Sequence, residues 1–169
     1  MTIREAVQNA ARRLETAGVP DPRIDAEWLL EHVTGMSRMQ MLLQGANELT
    51  AEQEQRFSSL LLSRAKREPV QYLLGEQYFY GLKFRVNPDV LIPRQETEGL
   101  CELGIRHLKK LAGQTSALDL CTGSGCIAVT LAAERPAWQG TALDISPGAL
   151  ETARRNAVAN GVELKFLQA

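Results

Sequence analysis

The fold of this chain is decided by residues 118–125, which read Leu118-Asp119-Leu120-Cys121-Thr122-Gly123-Ser124-Gly125. The run begins with the short apolar pattern of a strand and passes directly into two closely spaced glycines. Residues 126–133 then carry the small and apolar side chains of a helix. Glycine lets a ligand approach the backbone, and a helix N-terminus offers free N–H groups to an anionic group. The run therefore predicts a ligand-binding strand, loop and helix.

Downstream of this loop, strands and helices continue to alternate. We predict a second strand at 141–144, a helix capped by Ser146-Pro147 that reaches Asn160, and a third strand beginning at 164–167. Such alternation implies an α/β fold with a parallel sheet and right-handed crossovers. A doubly wound sheet usually has about six strands. We therefore interpret the chain as a fragment that ends about half way through such a sheet.

Upstream, the first seventy residues predict an N-terminal helical bundle. Capping boxes at Thr2–Glu5 and Thr50–Gln53 each start a helix, and Asp21-Pro22 supplies an N-cap followed by proline at the first helical position. For the helix that Pro22 begins, we predict an apolar face of Ile24, Trp28, Leu29 and Val33.

Between the bundle and the glycine loop the sequence becomes aromatic. Residues 77–86 predict a β-hairpin with a glycine-containing turn, Val90–Pro93 an extended strand, and residues 97–111 a helix. We divide the chain into a helical bundle for substrate recognition at 1–70, a hairpin linker at 71–96, and a partial cofactor-binding domain at 97–169.

Composition narrows the classes of function. The 169 residues carry a net charge of −1, spread evenly along the chain, which disfavours nucleic acid as a direct partner. No stretch approaches the roughly 20 apolar residues that span a bilayer, and the N-terminus lacks the apolar core of a signal peptide, so we expect a cytoplasmic protein. Three cysteines with no further ligands nearby indicate reduced, packed thiols and no metal site.

The loop by itself leaves the cofactor open. Asp144 ends the strand after the loop, nineteen residues past Gly125, where a carboxylate can accept hydrogen bonds from a ribose. Gly123–Ala128 also satisfies the G-x-G-x-x-A dinucleotide fingerprint, so a nicotinamide cofactor and S-adenosylmethionine are almost equally favoured. Asp119 favours the second because it can face an ammonium group, which NAD does not offer. An equally simple interpretation is that Asp119 caps the helix or braces the loop.

A resemblance narrows this choice. Residues 118–125, with 142–150 and 153–157, resemble the first two cofactor motifs of class I (Rossmann-like) methyltransferases. Phe79-Tyr80-Gly81-Leu82-Lys83-Phe84 and the run from Val90 to Glu98 are similar to the linker signature of the release-factor glutamine methyltransferases. The helical front, with Asp25-Ala26-Glu27-Trp28-Leu29-Leu30, is similar too, so the resemblance covers essentially the whole chain.

The resemblance implies an enzyme that uses S-adenosylmethionine to methylate the glutamine side-chain amide in the Gly-Gly-Gln motif of peptide chain release factors, and so acts in translation termination. Release factors would be its partners, recognised in part by the helical bundle. It implies cofactor binding by Asp119, Cys121, Thr122, Gly123, Ser124, Gly125 and Asp144, with Arg94 and Thr97 reaching the methionyl carboxylate. An NAD-dependent oxidoreductase and an adenine-N6 nucleic-acid methyltransferase are the alternatives.

The sequence departs from the family pattern at three points. Gln95 stands where the family usually has proline, and Cys121 replaces a common glycine, a tolerable change if its backbone angle is ordinary. The catalytic Asn-Pro-Pro-Tyr motif is expected beyond Ala169. We therefore assign no catalytic residue within the chain and expect part of a cofactor site without methyl-transfer activity.

Overall fold

The computed structural model describes residues 1–110, 116–135 and 138–169. These residues form two compact units, Met1–Leu74 and Gly75–Ala169. The first unit is helical, and the second combines a β-hairpin with a three-stranded parallel sheet and its helices. The predicted α/β class, with a helical front and half of a class I sheet, is confirmed. Within the described residues, no helix is both long and apolar enough to cross a membrane.

The helical unit contains five helices, and several of them begin at capping residues that the sequence shows. Both predicted capping boxes are present. The Thr2 and Thr50 side chains each accept the backbone N–H of the residue three positions on, and the side chain of that residue accepts the backbone N–H of the threonine. Ser37 with Gln40 forms a third box. The helices are α1 (Ile3–Thr16), α2 (Pro22–Thr34), α3 (Arg38–Leu43), α4 (Ala51–Ala65) and α5 (Val70–Leu74).

The predicted apolar face of α2 is confirmed at Leu29 and Val33, which lie in or against the core, but it is wrong at Ile24 and Trp28. Ile24 and Trp28 are each 44% exposed, whereas Ala26, Leu29 and Leu30 are fully buried. The helix packs against α1 on one side and α4 on the other, so its buried stripe includes acidic residues that a hydrophobic pattern leaves out.

Those buried acids are paired with arginines. The Asp25 carboxylate accepts a hydrogen bond of 2.6 Å from Arg64 Nε on α4, and both groups are nearly buried. One Glu27 carboxylate oxygen accepts a hydrogen bond of 3.0 Å from Arg23, and the other forms an ion pair with Arg38 at 3.0 Å. Burial of α2 therefore depends on charges supplied by two other helices as well as its own first turn.

The predicted hairpin is present in the second unit. Strands β1 (Glu76–Phe79) and β2 (Leu82–Arg85) pair antiparallel around Tyr80-Gly81. Both turn residues have positive φ, 51° and 73°, as a type I′ turn requires. Phe79 and Phe84 are buried and pack edge to face at 6.0 Å between ring centroids.

The chain after the hairpin differs from the prediction. Residues 90–93 do not form a strand, and none of the five described strands pairs with them. A 3₁₀ turn at Gln95–Thr97 leads into α6 (Glu98–Leu108), so this helix begins as predicted within one residue. Its predicted end at Leu111 lies outside the described residues.

The parallel sheet has the order β3-β4-β5, formed by Ser116–Leu120, Gln139–Asp144 and Lys165–Gln168. Helix α7 (Cys126–Glu134) connects the first two strands, and α8 (Pro147–Ala159) connects the second to the third. Ser146 caps α8 by accepting from the Ala149 N–H, as predicted. The middle strand is the best buried, with Ala142 fully enclosed.

Every fourth residue along one face of α8 contacts the β1–β2 hairpin or the segment that follows it. We call Gly148, Thr152, Asn156 and Asn160 the polar ridge. Asn160 bonds to the Lys83 carbonyl, Asn156 to the Arg85 backbone and Thr152 to the Asn87 side chain, while the Asp89 carboxyl lies against Gly148. Four residues of helix advance about 6.0 Å and two residues of strand about 6.6 Å, so the two spacings nearly match.

Candidate functional site

The glycine loop lies at the carboxyl end of β3 and adopts a strongly bent backbone. Cys121, Gly123 and Gly125 have φ values of 59°, 56° and 79°, all in the left-handed region. Two backbone bonds of 2.9 Å hold the bend, one from Thr122 N–H to the Leu143 carbonyl and one from Gly125 N–H to the Thr122 carbonyl. The loop is therefore attached to the end of β4 as well as to its own strand.

Asp144, at the end of β4, braces the loop from the other side. One carboxylate oxygen accepts from Gly123 N–H at 2.9 Å, and the other accepts from Ser146 N–H at 3.0 Å. The side chain is buried. Each oxygen has a second lone pair, so the carboxylate can accept further bonds from a diol while it holds the loop.

Asp119 lies half-buried beneath the loop. Its carboxylate accepts a 2.7 Å hydrogen bond from the Thr122 hydroxyl. Burial raises the pKa of the Asp119 carboxyl, with a contribution from nearby Asp144, while bonds from the Thr122 hydroxyl and the Ala128 N–H partly offset the rise. Bracing of the loop, one of the two interpretations left open by the sequence, is thus observed. A bound cation would relieve the unfavourable burial of this charge.

Two loop glycines differ in what surrounds them. A Cβ at Gly123 would meet nothing within 4 Å, so the backbone here is open to a ligand. A Cβ at Gly125 would lie 3.1 Å from the Ala153 Cβ, so this glycine lets α7 pack closely against α8. The first glycine therefore leaves room for a ligand, and the second brings the helices together.

Cysteine in place of glycine at position 121 was expected to be tolerable only if the backbone angle there is ordinary. The Cys121 φ of 59° is left-handed, a region where a side chain is disfavoured, so the condition of an ordinary angle is not met. Cys126, at the start of α7, is a packed thiol whose pKa is raised mainly by burial, despite its place at a helix N-terminus. Burial also raises the pKa of Cys101 to about 12, so neither packed cysteine is an activated nucleophile.

The structure places Arg94 and Thr97 in the 3₁₀ turn before α6. Arg94 is exposed, and its carbonyl accepts the Thr97 N–H at 3.0 Å. Among the described residues, no hydrogen bond joins either side chain to the glycine loop. The loop, Asp119 and Asp144 thus form one connected cluster, whereas the role of Arg94 and Thr97 stays a prediction.

Two residues without a predicted site role connect the hairpin to its surroundings. The Glu98 carboxylate accepts the Tyr80 N–H at 2.8 Å. Asn156 is fully buried and donates to the Ser124 carbonyl at 2.8 Å. A signal for Asn156 was present, because it interrupts the apolar stripe of Ala149, Ala153 and Ala157, and a buried amide requires partners.

These groups fit an aminoacyl nucleoside in their chemistry. An open backbone at Gly123 suits close approach, the Asp144 carboxylate suits ribose hydroxyls, and the buried Asp119 carboxylate suits an ammonium group. In the described part of the chain, no cluster of three or more His, Cys, Asp or Glu side chains is placed to hold a metal ion.

The sheet order, the glycine loop after β3 and the acid that ends β4 define a domain of the class I methyltransferase type, and the family model described as methyltransferase small domain matches residues 97–169. The model described as PrmC N-terminal domain matches residues 5–75. The two matches lie in sequence, so the chain is similar to a PrmC N-terminal domain followed by a methyltransferase small domain.

Curated relatives align with almost the entire chain. A release factor glutamine methyltransferase of Koribacter versatilis is 42% identical over 98% of this chain and 59% of its own length. Its counterpart in Deinococcus radiodurans is 39% identical over 99% of this chain and 60% of its own length. The enzyme of the same name in Neisseria gonorrhoeae is 47% identical over 86% of this chain and 52% of its own length. The chain thus spans about three fifths or less of the length of these relatives.

Among solved structures, coclaurine N-methyltransferase aligns with 100% of this chain and 50% of its own, at 18% identity and a TM-score of 0.41. A likeness of this size carries no argument about function.

Proposed function

We propose that this chain is the cofactor-binding and substrate-recognising part of a cytoplasmic enzyme that methylates the glutamine side-chain amide of peptide chain release factors, using S-adenosylmethionine. The observation that carries the proposal is the braced loop, in which Asp144 holds Gly123 at the carboxyl edge of the sheet. This arrangement occurs in a chain that is 39–47% identical to curated proteins named release factor glutamine methyltransferase. The enzyme would act in translation termination, with protein and not nucleic acid as its direct partner.

The chain's own residues would bind and orient the cofactor. Asp144 would accept bonds from the ribose hydroxyls, and Asp119 would pair with the ammonium group. Cys121, Thr122, Gly123, Ser124 and Gly125 would supply the close backbone contacts, while Arg94 and Thr97 would reach the carboxylate. The bound cofactor supplies a methyl group that its positively charged sulfur already activates.

The demanding part of the reaction is the acceptor. An amide nitrogen is a poor nucleophile because its lone pair is delocalised into the carbonyl, so alignment of the reacting atoms contributes most. No Asn-Pro-Pro-Tyr run, which would hold that amide, occurs in residues 1–169. We therefore expect cofactor binding without turnover, and methylation of a release factor by the chain alone would contradict this expectation.

Calorimetric titration of S-adenosylhomocysteine and of NADH into the chain tests the cofactor. We expect the first ligand to bind and Asp144→Ala to weaken it at least tenfold, since hydrogen bonds to a buried charge are worth about 1.5–3 kcal/mol. Glu163→Ala, which removes an exposed carboxylate from the same unit, is the matched control. Binding of NADH alone would contradict the proposal and favour the oxidoreductase. If neither ligand binds, the same titration on a longer chain decides.

The helical unit carries a surface suited to a protein partner. A groove of about 380 Å³ lies between α1, α2 and α3, with Val7, Ala11 and Leu42 among its lining residues. Arg4 and Arg12 line it as well, and neither makes an ion pair within the described residues. An apolar floor with unpaired arginines is complementary to a segment that has apolar and acidic side chains. We infer that such a segment of the release factor docks here.

Charge reversal tests the docking surface. Arg4→Glu with Arg12→Glu should weaken binding of a release factor to the chain at least tenfold at low salt, and the difference should shrink as salt screens the charges. Arg56→Glu, an exposed position on α4 outside the groove, should have little effect. Equal losses at both sites would show that overall charge, and not the groove, determines binding.

A further inference from the structure

Asn156 on α8 joins two parts of the second unit that are far apart in sequence. Its side-chain oxygen accepts the Arg85 N–H at 2.7 Å, and its amide nitrogen donates to the Arg85 carbonyl at 3.0 Å. The same nitrogen donates to the Ser124 carbonyl at 2.8 Å. One side chain therefore contacts both the end of the hairpin and the glycine loop.

The Asn156 side chain is held in a single arrangement. It is fully buried, both of its N–H groups are used, and its oxygen is occupied. Leaving a buried hydrogen-bonding group without a partner costs about 1–3 kcal/mol, so rotation of this amide is strongly disfavoured. Asn156 is consequently a rigid connection.

Among the residues of the polar ridge, Asn156 is distinguished by its bond to the loop. Asn160 donates to the Lys83 carbonyl at 3.0 Å, and Thr152 accepts from Asn87 at 3.2 Å. Both of these bonds fasten the hairpin or its exit to α8 without reaching residues 121–125. Asn160 thus provides a natural comparison, because it has the same side chain and lies one turn further on, at the C-cap of the same helix.

The loop needs such a support. Glycine gains more backbone freedom than any other residue when its native conformation is lost, and this loop has two glycines. Cys121 is in addition held in a disfavoured left-handed conformation. The Ser124 carbonyl lies outside the α7 hydrogen-bond ladder, which begins with the Gly125 carbonyl accepting the Val129 N–H. The bond from Asn156 therefore fixes a peptide group that the helix itself leaves free.

We propose that Asn156 is a positioning residue, which holds the Ser124 carbonyl so that the glycine loop keeps its cofactor-binding conformation and stays in register with the hairpin. Its effect on cofactor affinity rests on the proposed function, whereas its effect on the loop does not. The amide acts through the loop backbone and does not itself touch the cofactor.

Amide hydrogen exchange tests the proposal without any ligand. In Asn156→Leu, the Gly123 and Gly125 amides should exchange at least tenfold faster when normalised to amides of β4, because their bonds to Asp144 and Thr122 open with the loop. In Asn160→Leu, the same normalised rates should stay within about twofold of the original chain. Equal acceleration at the loop and at β4, or equal effects in both variants, would overturn the proposal.

A second variant covers the case in which Asn156→Leu fails to fold. Asn156→Asp at pH 8 keeps the size and the acceptor for Arg85 N–H but removes both donors, so it should give the same loop-specific acceleration. Loop rates like those of the original chain would overturn the proposal. Titration of S-adenosylhomocysteine should then show at least tenfold weaker binding in the Asn156 variants than in Asn160→Leu. Failure of the original chain to bind would count against cofactor binding by this chain and not against the role of Asn156 in the loop.

Discussion

At the scale of single residues, Cys121 combines a position in the proposed cofactor loop with a strained backbone. Its φ of 59° would suit glycine, yet the side chain is exposed and no neighbouring group explains its presence. A left-handed conformation costs a non-glycine residue about 1–2 kcal/mol. Such strain in the glycine loop is consistent with a conformation that the surrounding contacts impose.

Cys121→Gly should therefore stabilise the second unit. Relief of the left-handed strain is partly offset by the greater freedom of glycine in the unfolded chain, so we expect a net gain of about 0.5–1 kcal/mol. Urea denaturation followed by Trp138 fluorescence measures it, in a Trp28→Phe background that leaves one tryptophan. A loss of stability would show that the thiol makes a favourable contact which outweighs the strain.

Asp119 predicts a pH dependence with a definite sign. Its pKa is raised above the ordinary value of 3.8, mainly by burial, so the folded chain binds more protons than the unfolded chain between the two pKa values. The free energy of unfolding of the second unit should therefore fall as pH rises through this interval. Asp119→Asn, which can still accept the Thr122 hydroxyl, should remove that part of the decline.

The measurement is a series of urea denaturations at different pH values, again followed by Trp138. Glu163→Gln, an exposed carboxyl in the same unit, should leave the decline in place. A decline of the same size in Asp119→Asn would assign it to other groups.

The sequence predicted the loop and both of its acids because glycine spacing and an acid at a strand end are local patterns. It did not predict the Cys121 angle, which depends on Leu143, 22 positions away. Nor did it predict the bonds of Asn156, whose partners Arg85 and Ser124 lie 71 and 32 positions away. The contact from Leu143 fixes the peptide after Cys121, and Arg85 and Ser124 meet Asn156 only when the unit has folded.

At the scale of elements, pairing of charges decides how α2 packs. The hydrophobic pattern placed Ile24 and Trp28 inside, whereas the helix buries Asp25 and Glu27. Arg64 and Arg38, which make this burial possible, lie on other helices and are invisible to a periodicity argument. Val90–Pro93 failed as a strand for a similar reason, since an extended sequence becomes a strand only where a partner exists.

Asp25→Ala should destabilise the helical unit by about 3 kcal/mol, because it leaves the nearly buried Arg64 guanidinium without its carboxylate. Urea denaturation followed by Trp28 fluorescence, in a Trp138→Phe background, measures the loss. Asp25→Leu with Arg64→Met should recover most of it, since two apolar side chains can replace a buried pair.

Glu54→Gln is the matched control, because Glu54 pairs with the N-terminal amine at the surface of the same unit. It should cost less than about 1 kcal/mol. Similar losses for Asp25→Ala and Glu54→Gln would mean that burial adds nothing to the Asp25–Arg64 pair.

At the scale of the whole molecule, the described sheet has two outer strands, β3 and β5, each with one unpaired edge. Strand β3 is the more apolar of the two, with Leu118 and Leu120 54% and 61% exposed. Strand β3 also carries the glycine loop at its carboxyl end. Alternation of strands and helices predicted the order of elements but not which edge would be open.

An open, apolar edge favours association between chains. We expect concentration-dependent dimerisation through β3, measurable by sedimentation velocity, and a roughly tenfold weaker association in Leu120→Lys, about 1.4 kcal/mol. Val158→Lys, at an exposed position on α8, should change it little. A chain that is monomeric at all concentrations, or equally affected by both substitutions, would contradict this expectation.

The polar ridge also restricts how the linker can change in length during evolution. Because alternate linker residues meet every fourth residue of α8, one inserted residue between Arg85 and Asn87 would turn the following side chains away from the helix. Two inserted residues would instead move each contact along by about one helical turn and restore the pairing. Insertions and deletions in this part of related proteins should therefore come in twos, or be confined to the stretch after Asp89, beyond the last contact of this series.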